Sequence, residues 1–329
     1  MAGTDSPLSL CMIVKNEEQF LAGCLESVQG LVGEIVVVDT GSLDNTVEIA
    51  RQYGARIFHF EWIDDFAAAR NFALQQTALD WVLYLDADER LPSRYHKQVL
   101  DKIQTGKFDA LYVKVISQVS GILGNVTHEQ SYPRIFRKLP GVCFEGRIHE
   151  QITPALKRCD ARFGYLDVEI EHLGYCQNDD ILRRKVERNL KYLEAQVESE
   201  PENAYAWFQY GQTLLLDGQK EKGKAGLQHA LHLKTLPVNL TATILLIIAN
   251  QHFEDKEYPQ ALIYTRQALQ IAPNQRLGYF LQSECLAWQQ NWDTAIDSLK
   301  RLRKNGSMAF SDISIDKNFP SYIISQRMA

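Results

Sequence analysis

Two aspartates one residue apart, Asp86 and Asp88, follow an apolar run in WVLYLDADERL (81–91). In an extended chain residues i and i+2 face the same way. The two carboxylates are therefore expected to point together, and they repel unless a cation sits between them. A hard divalent ion accepts such oxygens and keeps positions for substrate phosphates. The bland alternative is a surface turn capped by aspartates. Asp39 ends the apolar run of EIVVVDTGSLDNT (34–46), where a carboxylate can take hydrogen bonds from ribose hydroxyls or a base edge. Turn chemistry alone accounts for Asp44. VKNEE (14–18) sets Lys15 and Asn16 at a strand-to-helix turn, with Glu17 and Glu18 suited to a helix start. Arg70 is a lone cation in FAAARNFA (66–73), either snorkelling or clamping an anion bidentately. Arg134, Arg137, Arg147, His149 and Glu150 accumulate between 132 and 150, and His172 falls at an expected strand end. A lone histidine is more often structural than a ligand.

These residues need a scaffold, and the first half of the chain offers one. Leu8–Val14, Glu34–Val38, Arg56–Phe60 and Trp81–Leu85 are apolar runs of the kind buried parallel strands show. Helical segments are expected between them, over Glu17–Val28, Asn45–Tyr53 and Phe66–Gln76. Repeated βα units imply right-handed crossovers and a parallel-type sheet with flanking helices, an α/β fold. A helix is expected after Pro92 and a strand over Ala110–Ile116. A loop-rich stretch with short strands is expected up to about Tyr175. Ligands of such sheets gather at the carboxyl ends of the strands.

From Asp179 strand signals vanish. A lone helix over Ile181–Glu198 precedes three helix–turn–helix units. Ala261 and Ala295 are 34 residues apart at matching places, the tetratricopeptide (TPR) period. Gly223 marks the same place 38 residues before Ala261, so one linker is expected to be four residues longer. The boundaries drawn are 1–178 and 179–329. Stacked repeats bind extended peptides or join subunits. Apolar Leu245, Leu246 and Ile247, read as exposed, suggest a homodimer through this part.

Composition narrows the classes. The 329 residues are 45 % hydrophobic and 23 % charged, the balance of a folded globular protein. A net charge of -6 disfavours nucleic acid as a partner. No apolar run reaches the roughly 18 residues that cross a bilayer. The first residues lack a basic n-region, so no signal peptide is expected. Six scattered cysteines without metal spacing fit reduced thiols in a cytoplasmic protein. Neither GxGxxG after a strand nor a P-loop motif is present.

Together, MIVKNEE, IVVVDTGSLDNT, FAAARNFA and LYLDADE resemble glycosyltransferase family 2, the inverting GT-A fold, in order and spacing. The match covers about residues 8–175. It is similar to the branch with lipopolysaccharide-core glucosyltransferases and, given the repeats, to sublancin-type peptide S-glycosyltransferases. The resemblance implies an NDP-sugar donor, usually UDP-linked, and Mn²⁺ or Mg²⁺. It implies a nucleoside-binding edge at Val14, Lys15, Asn16 and Glu17, a base or ribose contact at Asp39, and diphosphate proximity for Arg70, with Arg147 also on the donor side. It implies metal ligation by Asp88, with Asp86 nearer the ribose, and completion of the metal shell by His172. The family's acidic pair after the DxD is absent; its nearest match, Ile148-His149-Glu150, makes Glu150 the candidate base. The acceptor is a glycan, lipid precursor or peptide. The rival functions are a catalytically silent sugar-nucleotide domain in a TPR scaffold and a nucleotidyltransferase. VKNEE, acidic where a basic phosphate loop is needed, disfavours the second.

Overall fold

The computed structural model describes residues 5–121, 124–173, 179–304 and 315–316. The chain divides into two compact units, Met1–Gln177 and Asn178–Ala329.

The first unit alternates β1 (Leu8–Val14), α1 (Leu21–Ser27), β2 (Glu34–Asp39), α2 (Thr46–Gln52), β3 (Arg56–His59), α3 (Phe66–Gln76) and β4 (Trp81–Tyr84). It continues with β5 (Glu89–Arg90), α4 (His96–Gln104), β6 (Ala110–Gly121), β7 (Gly124–Arg137), α5 (Thr153–Arg158) and β8 (Phe163–His172). The spatial order is β3-β2-β1-β4-β7-β6-β8-β5. Strands β1 to β4 pair in parallel, as the apolar runs imply. The side chains of β1, β2 and β4 are buried on both faces: Leu8, Leu10, Met12 and Leu83 lie in one apolar cluster, Cys11, Val38 and Val82 in another with Phe136 of β7. The parallel β1 to β4 extend into a mixed sheet, because β7 runs antiparallel to both β4 and β6. The strands expected to be short after Ile116 are instead the long β6 and β7 and the 10-residue β8, and the loop-rich part of that stretch is residues 138–162 around α5. The helix expected from Glu17 starts at Leu21, because Glu17–Phe20 form a preceding turn in which the Glu17 carbonyl accepts from Phe20 N and Leu21 N.

This order fixes where a ligand can lie. Strand β1 is an interior strand, with β2 on one side and β4 on the other. The direction of winding reverses there, and open α/β sheets bind at such switch points, beyond the carboxyl ends. VKNEE leaves β1 at this edge, Asp39 ends β2 beside Val14, and the DAD segment leaves β4.

The second unit is helical among its described residues up to Lys304: α6 (Asp179–Ser199), α7 (Ala204–Leu216), α8 (Lys220–Leu233), α9 (Val238–Glu254), α10 (Tyr258–Ile271), α11 (Arg276–Trp288) and α12 (Trp292–Lys304). Helices α7 to α12 form three pairs. Gly211 lies so close to α8 that a Cβ there would sit 2.9 Å from the Gly223 carbonyl oxygen, which explains the small residues at these places. The four extra residues are not in a linker. Helix α9 has 17 residues where α7 and α11 have 13, so the insertion is about one helical turn. Leu245 and Leu246 are buried and Ile247 half-buried, packed within the repeats. The apolar surface cited for a homodimer is therefore core. No helix of the described residues is long and apolar enough to cross a membrane.

Candidate functional site

Strand β4 ends at Tyr84, and the chain turns at once. Glu89 N donates to the Asp86 carbonyl (3.0 Å), so residues 86–89 form a turn instead of continuing the strand. The i, i+2 rule fails here, and the two aspartates part company. Asp86 accepts from Arg70 Nη2 at 2.7 Å. Asp88 Oδ2 lies 3.2 Å from His172 Nε2.

The Asp88–His172 pair is built by the sheet edge. Glu89 pairs with His172 where β5 meets antiparallel β8, and Leu173 N donates to the Asp88 carbonyl (2.9 Å). Ser117 on β6 is the register partner of His172, and its Oγ lies 3.0 Å from His172 Nδ1. That contact orients the imidazole so that Nε2 faces Asp88. Burial lowers the His172 pKa, but the Asp88 hydrogen bond and carboxylate charges outweigh it and raise the pKa above the ordinary value.

Asp86 belongs to a different construction. Arg70 lies on α3, buried, and its Nε donates to Glu150 while its Nη2 holds Asp86. Its guanidinium also stands 5.3 Å from the Tyr84 ring and 5.7 Å from the Phe144 ring. Arg134 from β7 donates to Glu89 Oε1 (2.7 Å) and lies 3.9 Å from Asp86 Oδ2. Glu89 Oε2 in turn accepts from Asp86 N (2.9 Å). The result is an alternating row: Glu89, Arg134, Asp86, Arg70, Glu150. Burial raises the Asp86 pKa, but the two guanidiniums outweigh it and hold the carboxyl well below the usual carboxylate range. Glu89 lies deeper, and burial pushes it up despite Arg134. Arg70 and Arg134 are both held above their ordinary values by the surrounding carboxylates, against burial.

The β1 and β2 edge is self-satisfied. The Val14 carbonyl accepts from Thr40 N and Thr40 Oγ1. Asn16, at φ 55°, donates its backbone N–H to Ser42 Oγ and accepts Leu43 N on Oδ1 at 2.7 Å. Glu17 N donates to Thr46 Oγ1 (2.7 Å). Asp39 is buried; it accepts from Gly41 N and Ser42 N and has His59 Nδ1 at 3.5 Å. Lys15 and the Arg147 side chain are exposed, and the Arg147 carbonyl accepts Phe66 N at the start of α3. These contacts latch the two loops together; they fix the shape of the edge without consuming Lys15.

Asp88 and His172 suit a divalent cation. Asp88 Oδ2 and His172 Nε2 stand 3.2 Å apart, so little movement would bring both onto one ion. A carboxylate oxygen and an imidazole nitrogen are a donor set that Mn²⁺ accepts. Asp86 does not complete a cage, because its oxygens face guanidiniums. Among the described residues no three His, Cys, Asp or Glu side chains converge on one point.

A family model, glycosyl transferase family 2, matches residues 9–159, the segment that carries β1 to α5. The lipopolysaccharide core biosynthesis glycosyltransferase LpsC of Rhizobium meliloti is 30 % identical over 59 % of this chain and 73 % of its own length. The chain belongs to glycosyltransferase family 2. Two further family relatives carry the likeness into longer proteins. A TPR repeat-containing protein of Synechococcus elongatus is 33 % identical over 68 % of this chain and 56 % of its own. The SPbeta prophage-derived glycosyltransferase SunS of Bacillus subtilis is 30 % identical over 66 % and 52 %. The chain thus spans about half the length of these two relatives. Within this family member, the sequence reading missed Glu89 and Ser117 as site residues, and named Arg134 without assigning it a role. The available signals were an arginine set among apolar residues in YPRIF and a glutamate directly after DAD.

Proposed function

We propose that this chain is an inverting glycosyltransferase that moves a hexose from a UDP-linked donor to a nucleophile on a glycan, lipid precursor or peptide. Mn²⁺ or Mg²⁺ would be held by Asp88 and His172. The observation that carries the proposal is the Asp88–His172 convergence, which the β5–β8 pairing brings about just beyond the carboxyl end of β4.

Charge bookkeeping supports a metal. Arg70 and Arg134 face three carboxylates, those of Asp86, Glu89 and Glu150, so this row offers no net positive charge to a diphosphate. When bound, the cation would supply that charge as the nucleoside diphosphate leaves. Arg70 therefore orients Asp86 and Glu150 instead of opposing phosphate charge. Lys15, Asn16, Glu17 and Asp39 shape the nucleoside edge, with Val14 as the strand residue that anchors it. Arg147 stands exposed at the tip of the segment that carries Glu150. Glu150 gives Oε1 to Arg70, and Oε2 remains to take the acceptor proton as the acceptor attacks the anomeric carbon from the face opposite the leaving group.

Calorimetry of UDP binding with and without MnCl₂ tests this reading. Asp88→Asn is expected to lose the Mn²⁺-dependent part of the affinity. UDP binding that gains as much from Mn²⁺ in Asp88→Asn as in the native protein would refute the metal assignment. Slow UDP release from UDP-glucose, without pyrophosphate, separates transfer or hydrolysis from nucleotidyl transfer.

A further inference from the structure

The segment that carries Glu150 is a closed turn. Glu145 N donates to the Gln151 carbonyl (2.9 Å) and Gln151 N to the Glu145 carbonyl (2.8 Å), so residues 146–150 bulge from one short antiparallel bridge. Gly146 at φ 96° and His149 at φ 54° make the bends. A side chain at Gly146 would be strained, because L residues rarely adopt that φ.

Helix α3 grips this turn from one side. Asn71 Nδ2 donates to the Phe144 carbonyl (2.9 Å), and Phe144 N donates to Asn71 Oδ1 (2.7 Å). One side-chain amide thus satisfies both backbone groups of the residue directly before the bridge. The Phe144 ring is locked separately, edge-on to Tyr84 at 5.2 Å. Phe66 N holds the Arg147 carbonyl, and Arg70 holds Glu150. Fixing Phe144 fixes the bridge, and the bridge fixes where Glu150 stands.

We propose that Asn71 is a positioning residue that acts through the backbone of Phe144 to hold the Glu150 carboxylate at the reacting centre. The inference rests on Glu150 as the base. Among the described residues Asn71 hydrogen-bonds neither the Asp88–His172 pair nor the β1–β2 edge, so donor binding does not need it. A misplacement of about 1 Å costs on the order of 100-fold in rate.

The test is a double-mutant cycle on the full chain, with UDP release from UDP-glucose and MnCl₂ as rate and calorimetry of UDP with MnCl₂ as binding. Asn71→Ala is expected to slow release about 10- to 100-fold and leave UDP affinity within about twofold. In a Glu150→Gln background the same substitution is expected to change the rate less than threefold, since residues acting as a unit are non-additive. Gly146→Ala, which displaces the turn without touching Asn71, is expected to give the same pattern. Hydrogen exchange is expected to quicken at Glu145 and Gln151 in Asn71→Ala, with β1 and β4 amides unchanged. Equal slowing by Asn71→Ala in both backgrounds, or unchanged exchange at the bridge, would overturn the proposal. A normal rate in Glu150→Gln alone would overturn the base assignment instead, and with it any route for Asn71 through that carboxylate.

Discussion

The Glu89–Arg134 pair makes a quantitative forecast. Glu89 is 1 % exposed and the Arg134 side chain 9 %, with 2.7 Å between Oε1 and Nη2. Glu89→Leu would leave the guanidinium in the interior with only Asp86 Oδ2, 3.9 Å away, for compensation. Breaking a buried pair from one side costs about 3–5 kcal/mol. The loss of the acceptor for Asp86 N falls within that sum, because the two effects share one side chain. Glu89→Gln keeps an acceptor but loses the charge, and should cost about 1.5–3 kcal/mol. The double variant Glu89→Leu with Arg134→Met removes both charges and keeps an unbranched stem against Tyr84, whose ring lies 4.4 Å from the guanidinium carbon. Replacing a buried pair by apolar groups is often near neutral, so the double variant should be more stable than Glu89→Leu alone.

The assay must separate the two compact units, because a chain of two units need not unfold in one step. Native-state hydrogen exchange at β4 and β7 amides reads the opening free energy of the sheet unit directly. The forecast fails if Glu89→Leu costs less than about 1 kcal/mol, far below the range for a broken buried pair. It is equally refuted if the double variant costs the sum of the singles, since contacting residues must couple.

Two other outcomes follow from the same geometry. The Arg162 hydrogen bonds, with Nε to Asp109 Oδ2 at 2.7 Å, hold the Asp109 pKa below its ordinary value against partial burial. A depressed carboxyl contributes stability above its unfolded value near 3.9, lost as pH falls through the lower folded value. Asp109→Asn should therefore lose about 0.5–1 kcal/mol at pH 7, because the exposed Arg162 is resolvated, and show a shallower fall in melting temperature under acid, measured by thermal unfolding from pH 7 to pH 2. Gly211→Leu would press a Cβ to 2.9 Å from the Gly223 oxygen and the Leu227 nitrogen. Overpacking of about 1–3 kcal/mol or more is expected in the helical unit, with exchange in β1 and β4 unchanged.

Much of the scaffold was legible because its signals are local. Leu8–Val14 and Phe66–Gln76 begin and end where the apolar pattern places them. Helix α3 even carries its own start signal, since Asp65 accepts Ala68 N at 2.8 Å. The repeat period survived the insertion in α9, but a period fixes spacing, not whether four residues lie in a helix or a linker. The long β6–β7 pair was hidden because antiparallel strands can carry one polar face, which dilutes the apolar run. Arg134 and Glu89 are 45 positions apart, and no local pattern joins them. His172 was placed correctly at a strand end, yet its meeting with Asp88 depends on the β5–β8 pairing, which no single segment announces.

The split of the DAD segment shows how one turn sets two chemistries. Had β4 continued through Asp88, both carboxylates would share a face and need one cation between them. The turn at Asp86–Glu89 instead sends Asp86 to fixed guanidiniums and Asp88 to an imidazole. A permanently charged arginine cannot be exchanged between turnovers, whereas a cation at Asp88 and His172 would keep positions for phosphate oxygens and could leave with the product. The first arrangement suits holding Glu150 in place; the second suits gripping and releasing a nucleoside diphosphate. Under the proposed function, neighbouring carboxylates of one segment would tie the position of the donor grip to that of the base, through the buried Glu89 whose two oxygens hold Asp86 N and Arg134.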